Sequence, residues 1–140
     1  MSNDILNTIA LRRLISPFRQ TNADTAVVSQ ILDRQGFDRV GIVIQTGALT
    51  DADATFACLL EESNASDMSG ANTVAAADCV PAVAPATTLA FTFANDDTFR
   101  SVGYIGTKRY LRLTITPSGN GAGNLDVSAF AVLSGGMKQP

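Results

Sequence analysis

Apolar and polar residues alternate in several short stretches of the chain, and this alternation restricts the fold more than any other feature of the sequence. In the stretch DRVGIVIQT (38–46), Val40, Ile42 and Ile44 occupy every second position and therefore share one face of an extended strand. Turn-forming residues separate seven such stretches, at 27–32, 38–46, 54–62, 89–93, 98–105, 107–116 and 125–134. The sequence therefore predicts an all-β fold, a single antiparallel β-sandwich or jelly-roll-like barrel of about seven strands.

The chain has 140 residues, enough for one domain with its own core. Residues 1–20 do not share the alternation, and we expect an N-terminal arm there, or a short helix that ends before Pro17. Residues 21–140 form the predicted β-domain. Within it, residues 63–88 are rich in Ala, Ser, Asn and Pro and show no period. A loop of this length is usually functional or disordered, so this long excursion either reaches a neighbouring subunit or is a floppy surface loop.

Charge and hydropathy argue against two classes of partner. The net charge is −3 and the pI is about 4.7, whereas general DNA or RNA binding requires an excess of cations. No apolar run approaches the roughly 18 residues of a membrane-spanning helix. Asp4 precedes the first apolar stretch and Arg12 and Arg13 follow it, which is the reverse of a secretory signal. We therefore expect a cytoplasmic product that binds neither nucleic acid nor membrane.

The composition also argues against catalysis. Histidine is absent, and with it the commonest general base and a usual zinc ligand. Glu61 and Glu62 are adjacent on a predicted strand and point to opposite faces, so they cannot flank one substrate. Asp51 and Asp53 have a spacing suited to a cation, but the glycine and glutamate of an EF-hand loop are missing, which favours a turn. We predict no enzyme, no catalytic or metal-binding residue and no cofactor.

Cys58 and Cys79 are the only two cysteines in the sequence. In a cytoplasmic chain two cysteines are more often free thiols than a disulfide. Cys58 alternates with Phe56 and Leu60, which predicts a small residue of the core.

The stretch GYIGTKRYLRLTIT (103–116) concentrates glycines, tyrosines and cations. It lacks the GxGxxG spacing of a dinucleotide-binding loop, and it precedes a strand where such a loop precedes a helix. Lys108, Tyr110 and Arg112 alternate and share an outward face, whereas Arg109 points inward or to an edge. One interpretation is a solvent-facing strand with a buried arginine pair. The other is a contact surface for a protein, because Tyr and Arg anchor interfaces.

Parts of the chain resemble a family of small structural proteins of tailed bacteriophages and prophages, encoded near the major capsid gene. Residues 1–20 match this family only loosely, and the tail GGMKQP (135–140) departs from its pattern. The most specific match is YIGTKRYLR (104–112). The resembling stretches are QGFDRVGIVIQTGALTDADATF (35–56), AAADCV (75–80) and RSVGYIGTKRYLRLTIT (100–116).

The resemblance implies a virion structural protein, most directly a head decoration, or cement, protein. Such proteins commonly form homotrimers that bind the major capsid protein on the capsid exterior, and this one would be made in the cytoplasm of the host bacterium. The alternatives are a head–tail joining or tail-tube protein and, from another class, a virion-displayed β-domain that binds carbohydrate or the host surface. We expect residues 1–20 and 63–88 to carry the capsid contacts. The candidate interface residues are Lys108, Tyr110, Arg112, Tyr104, Arg12, Arg13 and Phe18.

Overall fold

Two antiparallel sheets pack face to face in the computed structural model, which describes residues 4–135. The predicted all-β sandwich is confirmed, and the described sheets do not close into a barrel. One short helix, α1 (Pro85–Leu89), and two 3-10 turns, Ile5–Asn7 and Ala76–Asp78, accompany the strands. In chain order the strands are β1 (Ile9–Thr21), β2 (Val27–Val28), β3 (Leu32–Asp33), β4 (Arg39–Leu49), β5 (Thr55–Ser63), β6 (Asn72–Thr73), β7 (Cys79–Val80), β8 (Phe91–Thr92), β9 (Phe99–Tyr104), β10 (Tyr110–Ser118) and β11 (Asn124–Ser134).

The two sheets differ in how their edges are built. The five-stranded sheet has the order β1-β11-β4-β9-β7. The six-stranded sheet is centred on the pair β10 and β5. The two-residue strands β2 and β3 both pair with β10, and β6 and β8 both pair with β5. Each edge of the six-stranded sheet is therefore a broken strand, which limits its pairing with another chain.

The core lies between the sheets and is built from the alternating positions that the sequence predicts. In β4, Val40, Ile42 and Ile44 are at most 5% exposed. Their neighbours along the strand are exposed or half-buried, as expected when one face of a strand meets the core. The same alternation buries further predicted core side chains from the six-stranded sheet, namely Phe56, Cys58, Leu60, Leu111, Leu113 and Ile115.

Strand β1 replaces the predicted N-terminal arm or helix. It pairs with β11 from Ile9, opposite Ser134, to Thr21, opposite Asn124. The register shifts twice, and the second shift spans Pro17, which has no N–H to donate to a ladder. These irregularities hide the strand period in the sequence. Because β1 also buries side chains in the core, removing residues 1–20 would open the sandwich, contrary to the expectation of a separable arm.

Residues 63–88 pack on the body of this chain. The segment contributes the buried side chains of Val74 and Cys79, so it is not a floppy surface loop. The predicted strand 89–93 is also wrong as a single element, because Leu89 ends α1 and only residues 91 and 92 pair with β5. A contact of residues 63–88 with a neighbouring subunit stays a prediction.

Tyr104 is buried, at 1% exposure, and its hydroxyl joins two strands to a loop. The hydroxyl donates to Glu62 Oε1 at 2.7 Å and accepts from the Lys108 N–H at 3.0 Å. The Arg34 guanidinium lies 5.4 Å from the ring centre and donates to the carbonyl of Gly106 at 3.1 Å and to that of Lys108. Burial, together with the bond to Glu62, raises the pKa of Tyr104. The prediction that Tyr104 contacts a partner is therefore wrong, because its side chain fills the core of its own chain.

Replacing Gly106 with Ala is expected to lower the free energy of unfolding by about 1–3 kcal/mol. The added Cβ would lie 2.5 Å from the Tyr104 hydroxyl oxygen, and this tyrosine is held in place by its hydrogen bonds. Urea unfolding measures the change. The matched control is Gly121→Ala, whose Cβ would meet no atom within 4 Å. Equal losses in the two variants would contradict the role assigned to the Tyr104 contact.

The thiols of Cys58 and Cys79 are free and buried, and they are expected to resist Ellman's reagent in the native protein. Desolvation raises the pKa of Cys58 to about 12 and also raises that of Cys79, so the reactive thiolates are scarce. Both thiols should react in denaturant. A Ser101→Cys variant places an exposed thiol on β9 and should react at once. Equally fast reaction of the native wild-type protein would refute the buried placement.

Candidate protein-interaction surface

One row of outward positions is apolar across the whole width of the five-stranded sheet, beside rows that also contain Arg13, Gln45, Ser101 and Ser128. Directly paired residues of antiparallel strands carry their side chains on the same face. One continuous row of such pairs crosses all five strands, from β1 to β7, and consists of Leu11, Val132, Gly41, Gly103 and Val80. None of these five residues is polar, although the row faces away from the core.

The neighbouring rows add larger apolar side chains. Phe130 and Val43 are paired on the same face and half-buried, and Phe99 is 61% exposed. Leu11 and Val80 are each 56% exposed at the two sides of the sheet. Gln45 and Ser101, which adjoin Phe99 and Val43 on this face, are polar and interrupt the apolar area. Adjoining exposed apolar residues mark contact sites in soluble proteins. We call this surface the outer apolar face and define it by Leu11, Gly41, Val43, Val80, Phe99, Gly103, Phe130 and Val132.

Two glycines make the centre of the outer apolar face shallow. Gly41 and Gly103 are direct partners, so the middle of the row carries no side chain. A Cβ at Gly41 would meet only the carbonyl oxygen of Val132, at 3.9 Å. The fold itself therefore does not require glycine at this position. The lack of a side chain there leaves a groove between Val132 and Val80.

The bulges of β1 open two depressions beside this groove. One, of about 380 Å³, is lined by Leu11, Arg13 and Phe130 among others. The other, of about 440 Å³, is lined by Phe18, Arg19, Asp97, Asp126 and neighbours. Both are open clefts. The first shares Leu11 and Phe130 with the outer apolar face, whereas the second shares none of its residues.

Cations border the outer apolar face. Arg13 pairs with Phe130 and Arg39 with Ser134, so both arginines lie on the outward side of the sheet. The third arginine of this border, Arg19, forms a bidentate ion pair with Asp126, at 2.7 and 2.8 Å. Its hydrogen bonds hold the pKa of the Asp126 carboxyl below its usual value. Arg19 is thereby neutralised within the chain, and it is Arg13 and Arg39 that favour an acidic partner surface.

The outer face of the six-stranded sheet carries charges that are already paired. Arg112 on β10 binds Glu61 on β5 at 3.0 Å. Arg109 forms a bidentate pair with Asp33, at 2.8 and 2.9 Å, and lies over the Tyr110 ring at 4.9 Å. The interpretation of Arg109 as part of a buried arginine pair is wrong, since its side chain is 42% exposed. The hydrogen bond from Arg109 lowers the pKa of Asp33.

The seven candidate interface residues lie in different parts of the molecule. Tyr110 and Arg112 lie on the six-stranded sheet, and Lys108 lies two residues before the first residue of β10. Arg12, Arg13 and Phe18 lie on β1 in the five-stranded sheet, and Tyr104 is buried. The structure therefore does not unite them into one surface.

Sequence reasoning missed the outer apolar face. A signal was present, because Val43, Phe130 and Val132 are apolar at outward positions of strands whose inward positions are apolar too. A strand that is apolar on both faces is typical of a sheet covered on both sides. Leu11 and Val80 carried no comparable signal, since the strands that hold them were not predicted.

The acidic candidates for catalysis or metal binding have structural partners. Glu61 and Glu62 point apart, to Arg112 and to the buried Tyr104. The Asp51 carboxylate accepts from the N–H groups of Asp53 and Ala122, at 3.0 Å each, which makes it part of a turn. The described residues contain no group of three or more acidic or cysteine side chains that could hold a metal ion. Over the same residues, no helix has the length and hydropathy to cross a membrane.

Comparison with known proteins identifies the fold. No protein-family model matches the chain, and no curated protein matches it by sequence. Among solved structures, the PBSX exported protein XepA matches with a TM-score of 0.56 and 14% identity, over 100% of this chain and 42% of XepA. The SPBc2 prophage-derived protein YomS matches with a TM-score of 0.52 and 6% identity, over 91% of this chain and 93% of YomS. The chain therefore shares the β-sandwich of two prophage-encoded proteins, and spans less than half of XepA.

The stability of the protein should fall at acid pH partly through Asp33 and Asp126. Both carboxyls have a pKa that is lower when folded than when unfolded, so their stabilisation is present above the unfolded value, about 3.9, and is lost as the pH falls through the folded value. A double variant, Asp33→Asn with Asp126→Asn, should show a flatter fall in unfolding free energy below about pH 4.5. A Thr107→Asn control, which changes an exposed residue and removes no carboxyl, should keep the wild-type slope. A double variant with that same slope would contradict the assignment.

Proposed function

We propose that this chain is a structural protein of a bacteriophage virion, and specifically a decoration protein that binds the outer surface of the capsid. The observation that carries the proposal is the outer apolar face, which lies uncovered on a rigid sandwich with no catalytic constellation among its described residues. The likeness in fold to the two prophage-encoded proteins supports a phage origin. The resemblance of residues 104–112 to proteins encoded beside the capsid gene supports the capsid as the site of binding.

In this proposal the outer apolar face contacts the major capsid protein. The long strands β1, β11 and β4 pair side by side along most of their lengths, so binding costs little ordering of the backbone. Arg13 and Arg39 at the border would meet carboxylates of the capsid protein. The six-stranded sheet, whose arginines already bind Glu61 and Asp33, would face solvent. Repetition over many equivalent capsid sites would provide avidity even where each contact is modest.

We further propose that the chain binds as a homotrimer at three-fold positions of the shell. The edge strand β1 is the element best placed to contact a neighbouring copy, since its outer edge pairs with no strand in the described chain. Residues Arg12 and Phe18 lie on this strand. Light scattering of the purified chain measures the stoichiometry directly.

Electron cryo-microscopy of virions from the phage that encodes the chain tests the proposal. Density for the sandwich in groups of three over the outer shell, with the outer apolar face against the capsid, is the expected result. Density in rings at the portal vertex or along the tail would replace decoration by head–tail joining or tail-tube assembly. Virions without any copy of the chain would overturn the structural role as a whole.

A Gly41→Glu substitution should abolish capsid attachment while the protein remains folded. The glutamate would stand in the middle of the outer apolar face, where an added Cβ meets no close atom of this chain. Burying that charge against the capsid should weaken binding at least tenfold, or about 1.4 kcal/mol. Binding to emptied capsids by co-sedimentation provides the measurement.

The matched control is Thr114→Glu, which places the same charge on the outer face of the six-stranded sheet. It should bind as the wild type does. If Thr114→Glu abolished binding and Gly41→Glu did not, the docking face would be the opposite sheet.

A further inference from the structure

Arg100 points into the sandwich from the beginning of β9. It pairs with Ile44 of β4, whose side chain is completely buried on the core side of the sheet. Val102, the next residue on the same side of β9, is 2% exposed. Arg100 therefore occupies a core-facing position at the open end of the sandwich, where an apolar residue would be expected.

The guanidinium of Arg100 has no acceptor in the described chain. The ion pairs of the described residues engage Arg19, Arg109 and Arg112, and none engages Arg100. Its Nε atom is buried without a hydrogen-bond partner. An arginine stays charged in proteins, so it cannot relieve this situation by releasing a proton. Arg100 as a whole is half-buried, but a buried donor without an acceptor is costly, which makes the position of its Nε informative.

The guanidinium borders a crevice of about 290 Å³ between the two sheets. Phe56 and Phe91 form one wall, with their rings stacked at 4.8 Å, and Ala90 extends it. Asn95 lies at the crevice as well. Its Oδ1 accepts from the Thr92 N–H at 2.8 Å, which leaves the Nδ2 amide as a second donor of a residue that lines the crevice. The crevice thus combines apolar walls with a charged donor group and holds no carboxylate of its own.

We propose that this crevice binds a carboxylate carried on a small apolar group. A carboxylate matches the planar fork of a guanidinium, and an aromatic or branched aliphatic body matches the phenylalanine wall. The volume suffices for one such group. The carboxylate belongs either to a free small acid or to the end of a peptide from another chain. The site does not involve the outer apolar face, so it is independent of the proposed role in the virion.

Titration followed by amide NMR tests the site. The free-acid probes are benzoate and 3-methylbutanoate, and their uncharged counterparts are benzamide and 3-methylbutanamide. The peptide probes end in phenylalanine, once with a free carboxylate and once amidated. We expect saturable shifts at residues 56, 90, 91 and 100 with the carboxylates, and no saturation with the amides. Saturation by free acids alone would identify a small-molecule site, and saturation by peptide acids alone would identify the end of a partner chain.

The Arg100→Gln variant should weaken binding at least tenfold, whereas the control Arg39→Gln, which removes an exposed arginine of the outward side, should bind as the wild type does. The Ala90→Leu variant fills the crevice and keeps the guanidinium, and it should also abolish binding. It provides a second test of the site if Arg100→Gln does not fold. The proposal is overturned if no carboxylate saturates the shifts, if the amides bind equally well, or if a folded variant of either kind binds like the wild type.

Discussion

The pairing of β11 with β4 and β1 is the interaction on which the rest of the structure depends. Every second residue of β11 is buried along its whole length, from Leu125 to Leu133, so this one strand supplies a full row of the core. Its two neighbours are held on either side by about ten paired residues each. A slip of one residue would turn every buried side chain of β11 outward, and the hydrophobic cost of that slip fixes the register. The facing strands β10 and β5 close the core against this row.

The alternation of the sequence predicted the long, regular strands because burial of one face imposes it. Strands β4, β5, β9, β10 and β11 fall within one to three residues of the predicted stretches. The prediction failed where the backbone does not keep a strict period. In β1, the first of the two register shifts puts Leu14 and Ile15 side by side in the core, which no period-two pattern anticipates. The two-residue strands between 72 and 92 are too short for any pattern, and tertiary contacts alone define them.

The candidate site was less predictable than the fold because its residues are distant in sequence. The cations of residues 108–112 were visible, but their partners Asp33 and Glu61 are about fifty or more residues away along the chain. From the sequence alone, a cation that pairs with a distant carboxylate of the same chain cannot be distinguished from a cation that binds a ligand. Arg100 is the opposite case. Its position in the sequence gives no indication of a site, but the packing leaves its Nε without an acceptor. The glycine pair at the centre of the outer apolar face likewise exists only in the register of β4 with β9.

The contrast between the two outer faces is the reason for proposing the five-stranded sheet, and not the six-stranded one, as the docking surface. On the outer face of the six-stranded sheet, Arg109 and Arg112 are neutralised by carboxylates of the same chain, so exposing this face to water costs little free energy. Burying it would desolvate these ion pairs, and new contacts would offset little of that cost. For the outer apolar face, exposure to water is unfavourable and burial against a partner is favourable. Covering it removes apolar area from water at roughly 25 cal/mol per Å² and desolvates no ion pair in its central rows. Val43 and Val132 are apolar at outward positions of strands that are apolar on the inward side as well. Their apolar character is accounted for when a partner covers this sheet.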